Sequence, residues 1–513
     1  MASRRDEFNA YTFAKHRTVA AFLQPSATGS EEGAPRPLRA VLPSLIVGAL
    51  VLVGFGVWGM FRPQAPKDWN EPGARVIVGK QSTTRYVVLS TEVAGGSRPR
   101  LHPVLNLASA RLLLDPAKFK VVHVEDKVLD AGRPPRGPII GIPYAPDRLP
   151  DGKDAGKSKR WAVCQRPGGN GHGVQSAVFV LADREAGLLD DARRTTGAQA
   201  LYVRSTGAAE QRYLVDAAGT KYAFPEGGPE AGTLTTALVG TGATPQPVTE
   251  QWLATLGSGD DLGFPRLPGT PGANAGVRGL AAADNRVGMV LSAQTGSGTQ
   301  YYVVLPGRVA PVTEFVARLL IAAPATDALD MRGKAREVDL QSLNPDATAF
   351  GSRNRWPRHR GAQVNGVDAA PGGARGGARR DTVCNVLRSV DAHGAPTLST
   401  WAGSGFPVDI TASGTGSYVT PGSGLLYTQV QGRQTTAGGT LFLVTDTGLR
   451  YAVQAGGDGD EGGAGAGRAE PGQAQARLGY AGVVPVLVPI AWSEFLSKGP
   501  RLDTNSARRT QGS

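Results

Sequence analysis

The chain has 513 residues, among them 70 Gly and 37 Pro, with only 6% aromatic residues and a formal net charge of +12. That length admits two or more domains with real cores. The Gly and Pro share, about a fifth, predicts short strands and many turns but stops short of a disordered composition. Two cysteines, outside any C-x-x-C pair, exclude a four-thiolate zinc site.

The N-terminal arm, RRDEFNAYTFAKHRTVAAFL, spaces Phe8, Tyr11, Val19, Phe22 and Leu23 at roughly helical intervals. It predicts an amphipathic helix within a cytoplasmic arm, residues 1–39. Arg4, Arg5, Phe8, Phe13 and Arg17 are its candidate contacts with the anionic inner leaflet or a cytoplasmic partner. A solvated helix that serves only as a topogenic signal is the alternative. From Ala40 to Phe61, AVLPSLIVGALVLVGFGVWGMF runs 22 residues without a charge, enough for a bilayer core of about 30 Å, and predicts a transmembrane helix over 40–61. Trp58 lies near its outer end, as interface aromatics do. A signal peptide would lie nearer the start and end in a small-x-small site; a buried core helix is the other alternative. Arg4, Arg5, Lys15, Arg17, Arg36 and Arg39 outnumber four acids in the arm, which puts the arm inside and residues 62–513 outside. Nucleic acid is then excluded as a partner, and the positive excess outside points to solubility and acidic envelope polymers or partners.

Beyond the span, internal repetition dominates. YLVDAAGTKYAFP and FLVTDTGLRYAVQ share an aromatic opening, Gly at plus six and Tyr at plus nine: Tyr213, Gly219 and Tyr222, then Phe442, Gly448 and Tyr451. Strand, Asp/Gly turn, strand is a β-hairpin pattern. Reduced copies are RYVVLSTEVAGG and YYVVLPGRVAP. Each copy is followed by Pro, a β-branched residue and a helix-like pattern, at Pro103, Pro247, Pro311 and Pro489. Proline is favoured near a helix start, where its missing N–H has no partner anyway. The expected fold is α+β: one N-terminal transmembrane helix, then four β-hairpin-plus-helix repeats around a β-rich central domain. The repeats are placed at 75–131, 197–260, 285–345 and 425–500, the central segments at 132–196 and 346–424, and a tail at 501–513.

Each central segment carries one cysteine, Cys164 or Cys384. In an oxidising space the economical reading is one disulfide closing a loop of about 220 residues and contributing roughly 4–5 kcal/mol; two unpaired buried thiols are the alternative. GGARGGARR before Cys384 and GGDGDEGGAGAG from Gly456 read as flexible surface loops.

Chemistry is sparse. In DGKDAGKSKRWAVC, residues Gly156, Lys157 and Ser158 match the end of a phosphate-binding loop, but Asp151 stands where the first glycine is required. The flanks are neither a strand nor a helix, an Asp repels phosphate, and ATP is scarce outside the membrane. GDGDEG, residues 457–462, fits G-x-G-x-x-G only by composition, and G-x-S-x-G, H-E-x-x-H and Cys/His clusters are absent. His102, beside Pro103, reads as a packed or surface residue. Asp190 with Asp191, and Asp260 with Asp261, read as solvated or capping acids, with a carboxylate site assembled in space as the alternative. No cofactor or metal is expected.

LHPVLNLASARLLL, GIPYAPDRLP and WAVC, taken with the arm, the span and LVTDTGLRYAV, give the chain its affinity: it resembles the EccB component of actinobacterial type VII (ESX) secretion systems across essentially its whole length. The runs near 361–380 and 456–476 depart from the family pattern and read as insertions. The resemblance implies a cytoplasmic N-terminal helix, one transmembrane helix, and an elongated extracytoplasmic region of four repeats around a central domain. It also implies a disulfide at Cys164 and Cys384. The implied partners are an EccC-like FtsK/SpoIIIE ATPase, EccD-like and EccE-like membrane subunits, a mycosin protease and other copies of the chain. The function expected is a structural, membrane-anchored subunit of the secretion complex that helps to build its outer vestibule. The family is often labelled an ATPase, so an extracytoplasmic nucleotide hydrolase is the second reading and a cell-wall-binding module the third.

Overall fold

The computed structural model describes residues 3–23, 38–60, 65–93, 96–168, 173–296, 298–366, 379–410, 415–432, 439–454 and 472–511. Most of the two Gly-rich insertions, including GDGDEG, lies outside the described residues. The chain separates into two compact units, one of Met1–Trp69, Gly79–Ser82 and His123–Ala131, the other of Asn70–Val78, Thr83–Val122 and Gly132–Ser513.

The first unit holds two long helices, α1 (Arg4–Leu23) and α2 (Leu38–Met60), and a short one over Asp126–Asp130. At about 100° per residue, Phe8, Tyr11, Val19, Phe22 and Leu23 share one arc of α1, but Arg4, Arg5 and Lys15 fall in the same arc and Phe13 falls outside it. The expected amphipathic face is therefore not present: spacing alone had counted the apolar positions without the charges between them. In α2 the described side chains, 41–57, are uncharged and exposed throughout; Trp58 and Phe61 lie outside them. Among the described residues no helix is long and apolar enough to cross a membrane. In the same unit Glu125 accepts from Lys80 Nζ and Gln81 Nε2, both at 2.9 Å.

The second unit is built from β-sheets, whose strands lie within it except for Gly79, His123 and Val124. In chain order the strands are β1 (Arg75–Gly79), β2 (Arg85–Val93), β3 (Gly96–Pro103) and, after helix α3 (Leu107–Leu113), β4 (Lys120–Val124); then β5 (Arg160–Pro167), β6 (Val174–Leu181), β7 (Gln199–Ser205), β8 (Arg212–Asp216), β9 (Thr220–Ala223), β10 (Gln246–Val248) and β11 (Gly257–Ser258). They continue with β12 (Val290–Thr295), β13 (Gly298–Leu305), β14 (Arg308–Val312), β15 (Arg336–Glu337), β16 (Ala362–Gln363), β17 (Thr382–Val390), β18 (Pro396–Gly403) and β19 (Thr415–Val419). The last are β20 (Leu425–Val430), β21 (Leu441–Val444), β22 (Leu449–Val453), β23 (Val486–Pro489) and β24 (Ser497–Lys498).

These strands form five sheets. The first runs β3-β2-β1-β4 and the third β14-β13-β12-β15, so these two share a plan. The second runs β10-β7-β8-β9-β11, with β16 also on β7, and the fourth runs β23-β20-β21-β22-β24, a second shared plan. The central sheet, β18-β17-β5-β6-β19, joins two distant stretches of chain. Its strands, such as WAVC and SAVFVL, are near-continuous apolar runs because both faces are covered. One face, with Trp161, Val163, Val178, Val180 and Val383, packs on the second sheet through Val203 and Trp252 and on the fourth through Tyr427 and Trp492. The other face buries Cys164, Phe179, Cys384, Trp401 and Phe406.

Of the four prolines expected at helix starts, Pro489 does stand at the N-cap of the turn Ile490–Ser493, while the other three lie two or three residues before the cap. Pro103, Pro247, Pro311 and Pro489 lie in β3, β10, β14 and β23, each the edge strand of its sheet. A residue without an N–H is tolerated at a sheet edge, where no ladder bond is lost. After Pro103, Pro247 and Pro311 the helix caps fall two or three residues later: Asn106, Thr249 and Thr313 accept from the amides of Ser109, Trp252 and Val316 at 2.9, 3.2 and 3.2 Å. Only Leu107–Leu113 and Glu314–Ala322 extend into real helices; Glu250–Leu253 and Ile490–Ser493 are single turns that set a buried Trp against the central sheet.

Candidate functional site

Cys164 and Cys384 stand directly opposite each other in the β5–β17 register and are joined by a disulfide with both side chains fully buried. The alternative of two free thiols is thereby removed. The bond staples two neighbouring antiparallel strands and closes a loop of sequence separation 220 that contains the second and third sheets.

A polar seam holds the second sheet to this centre. Gln165 on β5 donates to Ser176 Oγ at 2.8 Å and Thr249 Oγ1 at 2.6 Å and accepts from the Thr249 amide at 2.9 Å. Asn385 on β17 donates to Thr255 O at 2.9 Å, Gln246 donates to Asp381 O at 2.8 Å, and Trp252 Nε1 donates to Val163 O at 2.9 Å. Asn365 takes both main-chain groups of Tyr202, at 2.8 and 2.9 Å, in place of a missing strand partner. Gln165, Gln246, Asn365, Asn385 and Trp252 are buried, so each of these bonds averts part of the cost of an orphaned polar atom. Single Asn and Gln residues leave no pattern in a sequence, and none of these was foreseen.

The hairpin glycines sit where two sheets meet. Gly219 and Gly448 have φ of +75° and +79°, the left-handed region that a Cβ disfavours. An added Cβ would lie 2.8 Å from Leu398 Cβ at Gly219 and would clash with Ser417 Oγ at Gly448, both on strands of the central sheet.

The stretch from Asp151 to Ser158 folds in the reverse order to a phosphate loop. Asp151 caps a single helical turn, Gly152–Ala155, by accepting from the Lys153 amide at 2.8 Å. Gly156 ends the turn, Lys157 and Ser158 are exposed, and strand β5 follows instead of preceding. The informative neighbours are Asp154 and Lys159. Lys159 Nζ, its side chain 2% exposed, donates to Asp154 Oδ1 at 2.7 Å, while Asp154 Oδ2 accepts from Ser423 Oγ at 2.7 Å and the Gly424 amide at 3.1 Å. Burial works against the Asp154 charge, but the bonds from Lys159, Ser423 and Gly424 outweigh it and hold the carboxyl below its ordinary range. The apparent nucleotide loop is thus a clasp between the chain before β5 and the chain before β20.

The paired acids form ion pairs. Asp190 gathers Arg388, Arg160 and Arg194, the last two at 3.5 Å; Asp191 pairs with Arg193 and accepts from Trp401 Nε1 at 3.3 Å. Burial opposes both charges, and Arg388 on Asp190 and Arg193 on Asp191 more than offset it, keeping both carboxyls below the usual range. Asp260 pairs with Arg355 at 2.9 Å. His102 is buried with Nδ1 3.0 Å from Pro138 O, so that nitrogen carries the hydrogen. Among the described residues no group of three His, Cys, Asp or Glu could hold a metal ion. Arg4, Arg5, Phe8, Phe13 and Arg17 all lie on α1, and their side chains are exposed.

A disulfide-stapled, β-rich scaffold, whose buried polar groups serve the joints between sheets, is the class of protein that this fold and site define. The chain belongs to the family described as type VII secretion system ESX-1, transport TM domain B, whose model matches residues 1–513. It is a subunit of a type VII secretion complex. Among its relatives, the "ESX-3 secretion system ATPase EccB3" of Mycolicibacterium smegmatis is 26% identical over 507 residues, covering 92% of this chain and 84% of the relative. The "ESX-1 secretion system ATPase EccB1" of Mycobacterium tuberculosis is 29% identical over 294 residues, 56% of this chain and 54% of the relative. The fold is similar to a chain of an intact ESX-5 inner membrane complex, with TM-score 0.56 and 20% identity over 100% of this chain and 96% of that one. It is also similar to the EccB3 dimer from the ESX-3 core complex, with TM-score 0.57 and 20% identity over 85% of this chain and 100% of that one.

Proposed function

We propose that this chain is anchored by a single span at 40–61, with residues 1–39 in the cytoplasm and residues 62–513 outside, where its sheets form four repeats that help to build the outer vestibule of the secretion complex. The observation that carries this reading is the buried Cys164–Cys384 disulfide, because such bonds persist in oxidising compartments. The uncharged run of α2 and the Lys/Arg excess before it agree with that orientation. The role is structural, with no bound nucleotide or metal. Substrate movement is driven by a partner, an EccC-like FtsK/SpoIIIE ATPase, within an assembly of EccD-like and EccE-like subunits, a mycosin protease and further copies of this chain. With its apolar residues interrupted by Arg4, Arg5 and Lys15, α1 suits a protein contact better than a flat membrane surface.

The test is co-purification of the intact chain in mild detergent. Recovery in one large particle with these membrane subunits is expected, and loss of that particle on substituting Arg4, Arg5, Phe8 and Phe13; a lone monomer would refute the reading. An impermeant maleimide on whole cells should label Tyr144→Cys in a background lacking the native cysteines, and not Phe13→Cys. Phosphate release by the purified chain at background level is also expected. Turnover lost in Lys157→Ala would favour the hydrolase reading that the relatives' printed names suggest.

A further inference from the structure

Beside the helix Glu314–Ala322 lies a cleft that none of the roles above uses. One cavity of about 300 Å³ is bordered by Arg318, Lys334 and Arg360, with the hydroxyls of Ser292 and Tyr301 and one carboxylate, Glu314. A second of about 480 Å³ is bordered by Arg360 again, Gln363 and Arg379. Arg360 borders both, so one cation is common to the two cavities. Glu314 lies 3.2 Å from His359 Nδ1, and Arg379 pairs with Asp381 at 2.9 Å. Among the described residues Arg318, Lys334 and Arg360 have no carboxylate partner.

The chain around Arg360 is pinned. Arg355 holds Asp260 at 2.9 Å, Trp356 Nε1 donates to Asp261 O at 3.0 Å, and Arg358 O accepts from the Phe315 amide at 3.3 Å. Arg318 is tethered through Nε to Ala237 O at 3.3 Å. Burial, and then the like charge of Arg360, push the Arg318 guanidinium below its ordinary value. Like charges held close without a counter-ion are costly unless an anion joins them.

The second cavity runs along a strand edge. The amides of Ala362 and Val364 bond Ala198 O and Ala200 O on the β7 side at 2.8 and 3.1 Å. Strand alternation then turns the main-chain N–H and C=O of Gln363 away from β7, and Gln363 lines the second cavity.

We propose that this cleft binds an acidic polypeptide segment in extended form, its carboxylates on Arg318, Lys334 and Arg360 and its main chain pairing with Gln363 of β16. Guanidinium forks suit carboxylates, and strand addition at an edge supplies contacts that only a polypeptide can make. A phosphate-bearing polymer would use the cations and leave the edge idle. The proposal rests on the cleft alone and stands or falls separately from the secretion role.

The test measures fluorescence anisotropy of a fluorescein-labelled octa-glutamate peptide with the full chain in mild detergent. Lys334→Gln with Arg360→Gln, both exposed positions, should weaken binding at least about tenfold without lowering the melting temperature. The same peptide N-methylated at alternate residues should weaken comparably. Equal binding by the double variant, unchanged binding of the N-methylated peptide, or binding of polyphosphate where the peptide does not bind would each overturn the proposal.

Discussion

Lys159 and Asp154 form a buried contact in a stretch whose surface residues merely imitate a nucleotide motif. Lys159 has almost no exposure, so removing its charge leaves Asp154 and the Ser423 and Gly424 donors facing a partly buried gap. Lys159→Met should destabilise the chain by about 1–3 kcal/mol, read as a fall in denaturant midpoint. Lys157→Ala, two residues away and exposed, should change stability by less than about 0.5 kcal/mol. The pH dependence follows from the lowered Asp154 carboxyl. A depressed folded value contributes stability that is full above the unfolded value, about 3.9, and is lost as pH falls through the folded one. Asp154→Asn should therefore be less stable at neutral pH and lose less stability than the parent on acidification below about pH 4. Asp190 and Asp191 shift in the same direction, so part of the acid sensitivity should persist in that variant. The Gly-Lys-Ser signal was legible and so was its failure, since the missing glycine is a local fact. The clasp was not, because Ser423 lies 269 residues from Asp154.

At the scale of elements, the two complete hairpins end in turns that do two things at once. Gly219 and Gly448 permit the positive φ and also let the turn touch the central sheet. Gly219→Ala and Gly448→Ala should each cost about 1–3 kcal/mol, while Gly227→Ala, with open space around it and no positive φ, should be close to neutral; thermal denaturation of the three variants decides it. The hairpins themselves were legible because strand, turn and strand are adjacent in the chain. The prolines were legible as landmarks; Pro489 stands at a helix start as expected, while Pro103, Pro247 and Pro311 serve an edge strand before the cap. Their fit to a sheet edge depends on which strand has an unoccupied side, and that is settled by pairings such as Pro247 with Arg204, 43 positions back. The amphipathic reading of α1 failed for a simpler reason: apolar spacing was counted while Arg4, Arg5 and Lys15 in the same arc were not.

For the whole molecule, the central sheet decides how the rest is arranged. It is drawn from two segments that flank the second and third sheets, and its disulfide locks those segments at one register. In the chain-entropy account a loop of this size contributes about 5 kcal/mol. Cys164→Ala with Cys384→Ala, or reduction of the parent, should therefore lower the denaturant midpoint strongly, and the two losses should match. A far smaller loss would mean that the strands are held chiefly by Trp161, Trp252 and Trp492 in the core on the other face. Composition and local pattern were enough to establish an uncharged helical run near the start, a mixed α+β chain rich in hairpins and a Gly-Lys-Ser stretch that lacks the first glycine of a phosphate loop, because each depends on neighbours within about twenty residues. Folding in three dimensions decided which strand lies at an edge, which face of the central sheet holds the disulfide, and where Gln165, Asn365 and Asn385 find partners. It also decided that Arg318 and Arg360 share a cleft. Those outcomes depend on contacts between residues tens to hundreds of positions apart, where charge, burial and hydrogen bonding are fixed by packing and leave no periodic trace in the chain.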